Sequence, residues 1–187
     1  MKHEDDMLRC DAPVIRVATA LDVDRLEALI PVSARELSRA CYSAAQIEAA
    51  IAHVFGVDAE LIEDGTYFCA ELGGELVGCG GWSRRRTLFG GDQYVARDSA
   101  FSDPAVDPAK IRAFFVHPRA ARRGIGRALL AQCEEAAKAF GYCSAELMST
   151  LPGVDFYRGC GYAAGRRTTF LIEEGVAIDF VPMTKNF

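Results

Sequence analysis

The sequence predicts a single α/β (α+β) domain, with a mixed, mostly antiparallel sheet of about seven strands flanked by helices. Three observations predict it. Apolar residues switch between strand and helix periodicity along the chain. Capping residues and glycine pairs mark the places where one element gives way to the next. The 187 residues, 50% apolar and 25% charged, are enough for one sizeable hydrophobic core.

The elements follow in order. Val14 to Ala18 reads as a first strand. Thr19 with Asp22 resembles a capping box, and Leu21, Leu26, Leu29 and Ile30 form the apolar face of the helix behind it. That helix is expected to stop or bend at Pro31, with a further turn or two through Ser38. Ser43 and Gln46 form a second capping box, opening a helix that carries Ile47, Ala50, Ile51 and Val54–Phe55 and ends at Gly56. Thr66 to Leu72, Gly73-Gly74 and Glu75 to Arg84 read as a β-hairpin. Residues from about Leu88 to Pro108 form a long irregular loop, a kind of segment that is usually functional or mobile. Ile111 to Val116 is a central strand covered on both faces. A helix runs from Ile125 to Phe140 and is capped by Gly141. A strand near Ser144 to Met148, a helix over Gly153 to Gly159, and a closing strand pair, Ala163 to Phe170 with Val176 to Met183, complete the chain. No repeat, low-complexity tract or linker interrupts it. Residues 1–13 read as a flexible tail and 14–187 as the domain.

Composition narrows the function. A net charge of −5 argues against a general nucleic-acid binder. No apolar run approaches the roughly 20 residues that span a membrane. The acidic start lacks the apolar core of a signal peptide. Seven cysteines with no C-x-x-C spacing read as reduced thiols of a cytoplasmic protein. Three histidines, one of them His3, give no zinc or triad spacing, so no metal is expected.

One stretch carries chemistry. The apolar strand ending Phe114-Phe115-Val116-His117-Pro118 runs into Arg119, Arg122 and Arg123, then Gly124-Ile125-Gly126-Arg127-Ala128 at a helix start. Backbone N–H groups there point at an anion, the glycines let it approach, and the arginines add charge. A basic island on an acidic chain suits a small polyanion. It is no P-loop, because no Lys-Ser or Lys-Thr follows the glycines. It is no dinucleotide fingerprint, because Leu129 stands where a third glycine belongs.

These residues resemble the GNAT N-acetyltransferase family. The family's pyrophosphate motif, Gln/Arg-x-x-Gly-x-Gly/Ala, is matched by Ala121-Arg122-Arg123-Gly124-Ile125-Gly126. Val116-His117-Pro118 matches the V-x-P before it, and Phe156-Tyr157-Arg158-Gly159-Cys160-Gly161-Tyr162 matches the later F-Y-x-x-x-G-F/Y segment. The resemblance implies an acyl-CoA N-acyltransferase fold with acetyl-CoA, or another acyl-CoA, as co-substrate. It implies that the N–H groups of Arg122, Arg123, Gly124, Ile125, Gly126, Arg127 and Ala128 cradle the pyrophosphate, and that Phe115 and Val116 offer backbone groups to the pantetheine arm. It implies that Tyr157 protonates the departing thiolate, a role open to a phenol with a pKa near 10. Two positions depart from the pattern: Ala121, where Gln or Arg is usual, and Thr150, where Asn is frequent.

The general base is not evident. The central-strand positions that often supply it hold Lys110 and Arg112, leaving water, Glu36, Asp92 or a weakly basic acceptor amine. Arg35, Tyr42, Trp82 and Ser83 are the candidate acceptor-pocket residues, with Arg84-Arg85-Arg86 nearby as either pocket or solvated strand end. The resulting expectation is acetyl transfer to a primary amine of a small molecule by direct attack on the thioester. A non-catalytic CoA-binding module and a protein or peptide N-acetyltransferase stay open, as does a homodimer.

Overall fold

The structure is a computed structural model and describes residues 12–187. Most of the expected tail, with Cys10 and His3, lies outside the described residues. The strands are β1 Val14–Val17, β2 Tyr67–Leu72, β3 Glu75–Ser83, β4 Ala109–Val116, β5 Ser144–Thr150, β6 Ala163–Ala164, β7 Thr168–Glu173 and β8 Val176–Asn186. The helices are α1 Val23–Ser38, α2 Ala44–His53, α3 Ala59–Glu63, α4 Ile125–Phe140 and α5 Val154–Gly159.

The strands form one eight-stranded sheet in the order β1-β2-β3-β4-β5-β8-β6, with β7 also paired to β8. The count exceeds the expected seven because the stretch Ala163 to Phe170 is not one strand. Ala163–Ala164 pairs with Thr184 and Met183, the chain breaks at Gly165, and Thr168 then pairs with Phe180. Every pairing is antiparallel except β4 with β5.

Two cores cover the two faces. On one, α4 and α5 pack Ile125, Leu129, Leu130, Cys133 and Tyr157 against Phe68, Val77, Ile111 and Leu147. On the other, α1 and α2 pack Leu26, Leu29, Ile30, Ile47 and Ala50 against Tyr67, Cys79, Ile178 and Phe180.

Most boundaries follow local chemistry. The Asp22 carboxylate accepts from the Thr19 N–H at 2.9 Å, and the Ser43–Gln46 box closes in both directions. Gly141 ends α4 at φ 114°. The expected break at Pro31 does not occur: α1 continues to Ser38. Leu29 and Ile30 before the proline and Ser33 and Ala34 after it are all buried, so packing of one continuous stripe outweighs the lost backbone bond. Helix α3 was not expected. Asp58 starts it by accepting from the Leu61 N–H at 3.3 Å.

Candidate active site

The site begins where the parallel pair parts. β4 and β5 pair only at Ala109–Ala145 and Lys110–Glu146. Beyond that point β4 carries a bulge: Arg112 lies opposite Gly81 and Phe115 opposite Cys79, so two residues, Ala113 and Phe114, face the single Gly80. Ala113 sits at φ 58°, a left-handed conformation that is strained for an alanine. Its carbonyl lies 3.3 Å from the Tyr67 hydroxyl and 3.7 Å from the Cys79 sulfur, so two buried groups of the hairpin underpin the bulge. Gly80 makes room for it. A Cβ there would stand 2.6 Å from the Phe114 ring.

The bulge turns consecutive aromatic side chains to opposite faces: Phe114 joins the α4 core and Phe115 the α1–α2 core. Between the parted strands runs a cleft open to both. Its walls are Ile111 to Phe115 of β4, Met148 to Thr150 of β5, Tyr157, Phe180, the Val54–Gly56 turn and Leu88 to Gly91 of the long loop.

β4 leads through His117 and a short turn to the start of α4, which packs on the same face of the sheet as Tyr157. His117 caps the preceding turn, its Nδ1 accepting from the Arg119 N–H at 3.1 Å. Arg122 and Gly124 adopt left-handed φ of 63° and 83°. Among the described residues, the backbone N–H groups of Arg122 to Arg127 have no acceptor within the protein; the first helical bond runs from Ala128 to Gly124. A Cβ on Gly124 would meet nothing within 4 Å, so no neighbouring side chain covers this turn residue. Orphan donors, the positive end of a 16-residue helix and exposed arginines make an anion cradle, and a pyrophosphate fits it. Arg122 and Arg123 form no ion pair among the described residues. Arg119 reaches Glu75 at 3.6 Å, and Arg127 donates to the Gly159 carbonyl at 3.3 Å.

Tyr157 borders the cleft from α5, its ring edge-on to Phe114 at 6.3 Å between centroids. Its hydroxyl has no hydrogen-bond partner in the protein among the described residues. Burial pushes the phenol well above its ordinary range, so it stays protonated and is available as a donor. Phe115 lines the cleft; Val116 donates its N–H to the Ser33 hydroxyl at 3.1 Å.

The four residues expected to frame an acceptor are not brought together. Arg35 lies on the surface of α1 in a two-pronged pair with Glu48, at 2.7 and 2.8 Å. Tyr42 is a core residue whose hydroxyl donates to the Asp179 carbonyl at 2.6 Å and accepts from the Leu151 N–H at 2.7 Å. Trp82 packs on Phe140 and Tyr142 on the α4 face. Ser83 is buried and accepts from the Arg85 N–H. None borders the cleft. Of the arginine run, Arg85 clasps Asp64 at 2.8 and 2.9 Å and Arg84 covers the Phe101 ring.

The proton-relay candidates are also committed elsewhere. Asp92 accepts from the Ala59 N–H at the start of α3, and Glu36 pairs with Arg39. Lys110 bonds Glu146 and the Pro108 carbonyl. Arg112 does border the cleft, at the edge of a buried four-charge cluster. Its Nη2 reaches Asp58 at 3.0 Å and Glu60 at 3.2 Å, and Arg97 bonds the same two acids at 2.9 and 2.6 Å. Burial raises the Asp58 carboxyl against the pull of both guanidiniums. Glu60 is also opposed by burial, but bonds from Ser99, Arg97 and Arg112 bring it down to about 2.

Sequence reasoning missed the aromatic wall of Phe55, Phe89 and Phe180. The available signals were Phe55-Gly56 and Phe89-Gly90-Gly91, where an aromatic precedes a chain reversal, but nothing local links them. Three of the seven cysteines, Cys69, Cys79 and Cys133, are buried thiols as expected, whereas Cys41 and Cys143 are exposed. Among the described residues no His/Cys/Asp/Glu group has metal-site geometry, and no helix is long and apolar enough to cross a membrane.

The comparisons with known proteins bear on this architecture. A GCN5-related N-acetyltransferase structure from Rhodopseudomonas palustris, titled an aminotransferase of class II, is 23% identical and superposes with a TM-score of 0.71 over 95% of this chain and 97% of its own. PaiA N-acetyltransferase from Thermoplasma acidophilum, solved with coenzyme A, is 17% identical with a TM-score of 0.65 over 95% and 100%. N-acetylglutamate synthase from Neisseria gonorrhoeae, solved with coenzyme A and N-acetyl-glutamate, is 19% identical with a TM-score of 0.57; it covers 95% of this chain and 36% of its own. At such identities these structures establish the shared fold. No curated protein sequence matches the chain. The sequence model of the acetyltransferase (GNAT) family matches residues 32–162, spanning α1 through α5 and both motifs. With more than half its length matched to that model, the chain belongs to the GNAT family of acetyltransferases and is an acyltransferase.

Proposed function

We propose that this enzyme transfers an acetyl group from acetyl-CoA to a primary amine of a small molecule by direct attack of the amine. The observation that carries the reading is one cleft through the sheet, with unpaired N–H groups of α4 on the same face as the free Tyr157 hydroxyl. Acetyl-CoA supplies an acyl carbon activated as a thioester. The N–H groups of Arg122 to Arg127 hold its pyrophosphate, while that of Ala128, expected in the cradle, is already bonded to the Gly124 carbonyl at 3.0 Å; the exposed Arg122 and Arg123 add charge. Backbone donors suffice for this, so Ala121 in place of Gln or Arg shifts the contacts without removing the cradle. Phe115 and Val116 flank the arm. A ligand takes the Val116 N–H only by displacing the Ser33 hydroxyl.

The C–N bond forms as the C–S bond breaks. The leaving sulfur takes its proton from Tyr157, which recovers one from solvent. The amine gives up one proton to water, since no carboxylate or imidazole borders the cleft. The buried, unbridged Cys69, Cys79 and Cys133 support a reducing, cytoplasmic setting. Acetyl-CoA and CoA are expected to raise the melting temperature, and acetyl-CoA with a suitable amine to release free CoA. No thermal shift at millimolar acetyl-CoA would overturn the reading.

A further inference from the structure

The half of the cleft on the α1–α2 face is lined by rings and aliphatic groups. Phe55 stands edge-on to Phe115 at 5.8 Å and to Phe180 at 6.4 Å, and Phe89 lies 5.3 Å from Phe180. Val54, Leu88 and Met148 fill the wall between them. This half lies across the sheet from the α4 cradle and Tyr157, so it is where an acceptor meets the acyl carbon from the other side.

The wall includes one charged residue, Arg112, whose guanidinium is buried against Asp58 and Glu60. Its Nη1 is held by the Thr87 carbonyl at 3.1 Å and its Nη2 by Asp58 and Glu60. Those two acids are shared with Arg97, and Glu60 also bonds Ser99. Asp92 caps α3. An alkylammonium entering this cleft therefore finds a buried, charge-balanced cluster, no free carboxylate and no base to deprotonate it. Its desolvation is uncompensated. A flat, uncharged amine finds aromatic surface on several sides and needs no counter-charge.

Resting on the acetyl-transfer reading, we propose that the acceptor is an arylamine, bound uncharged with its ring among Phe55, Phe89, Phe115 and Phe180. Weak basicity and an apolar ring are the two properties the cleft selects together. The neutral nitrogen attacks directly and sheds its proton to water after the C–N bond has formed.

The test is CoA release from acetyl-CoA with aniline, 4-methylaniline, phenethylamine, spermidine and an aminoglycoside, alongside acetyl-CoA thermal shift and the Phe89→Ala variant. The expected result is kcat/KM for the two anilines at least about tenfold above that for phenethylamine, with no turnover of the polycations. Phe89→Ala should raise KM for the anilines severalfold and leave the acetyl-CoA thermal shift unchanged. Phenethylamine or spermidine as the better substrate would overturn the proposal while leaving acetyl transfer intact. So would unchanged aniline kinetics in Phe89→Ala. Turnover of none of the five would also overturn it, and in that case a preserved acetyl-CoA shift keeps the acetyl-transfer reading while a lost shift removes both.

Discussion

Tyr157 is a phenol in an apolar wall whose hydroxyl is bonded to nothing in the protein among the described residues. Such a hydroxyl, bordering the cleft and uncommitted to the protein, is available to a ligand. Tyr157→Phe removes one oxygen and keeps the ring contacts with Phe114, Phe156 and Tyr162. The variant is expected to fold, to keep its acetyl-CoA thermal shift, and to lose about 10²-fold or more in kcat. Steady-state kinetics on the variant checks it; a kcat within twofold of the parent would assign the ring to packing alone. Tyr157 was legible in the sequence because its motif is contiguous. Tyr42 and Trp82 misled for the opposite reason. Whether a buried aromatic serves a pocket or a core depends on its neighbours, and for Tyr42 these are Asp179 and Leu151, more than a hundred residues away.

At the scale of elements, the working part is the β4 bulge with the hairpin that supports it. Gly80 faces two residues where a regular ladder has one, and the Phe114 ring fills the space a side chain would need. Gly80→Ala forces that ring or the strand to move. Overpacking of this kind costs about 1–3 kcal/mol, or roughly 2–4 °C of melting temperature per kcal/mol at this size. Calorimetry is expected to show the loss, and kinetics a larger drop in kcat/KM than stability alone explains, because Phe114 and Phe115 both border the cleft. Helix α4 was legible with approximate bounds that its ends match, since both ends are marked by glycines that adopt positive φ. The bulge was not predicted. Nothing in Arg112-Ala113-Phe114 marks an extra residue, and only the register against β3 reveals it. Further helical turns to Ser38 were expected beyond a stop or bend at Pro31; that they form one unbroken helix was decided by tertiary burial.

For the whole molecule, paired carboxylates set the response to acid. Asp22 is held well below the carboxylate range, first by its bond from Arg16 against the opposing effect of burial; Glu71 is lowered by Arg16 and Arg25, and Asp64 by Arg85. Glu60, opposed by burial but bonded by Ser99 and the arginines, reaches about 2. In each case the folded value lies below the unfolded one, so the folded state binds fewer protons. Their stabilisation is complete above about pH 4.5 and is lost as pH falls toward 2. The melting temperature is expected to hold between pH 6 and 8 and to drop steeply below pH 4, with Glu60→Gln removing part of that acid slope. Asp58, raised by burial, contributes with the opposite sign. A melting temperature flat down to pH 3 would contradict the ion-pair assignment.

The brevity of the β4–β5 pairing has a mechanical consequence. Among the described residues, the pairs Ala109–Ala145 and Lys110–Glu146 are the only ladder joining the β1–β4 half of the sheet to the β5–β8 half. The protein is built like a book with a short spine. Past that spine the halves are held together by the two cores that cover the sheet and by the side chains around the cleft. A molecule bridging from Phe115 to Met148 therefore adds a contact between the pages where the ladder supplies none.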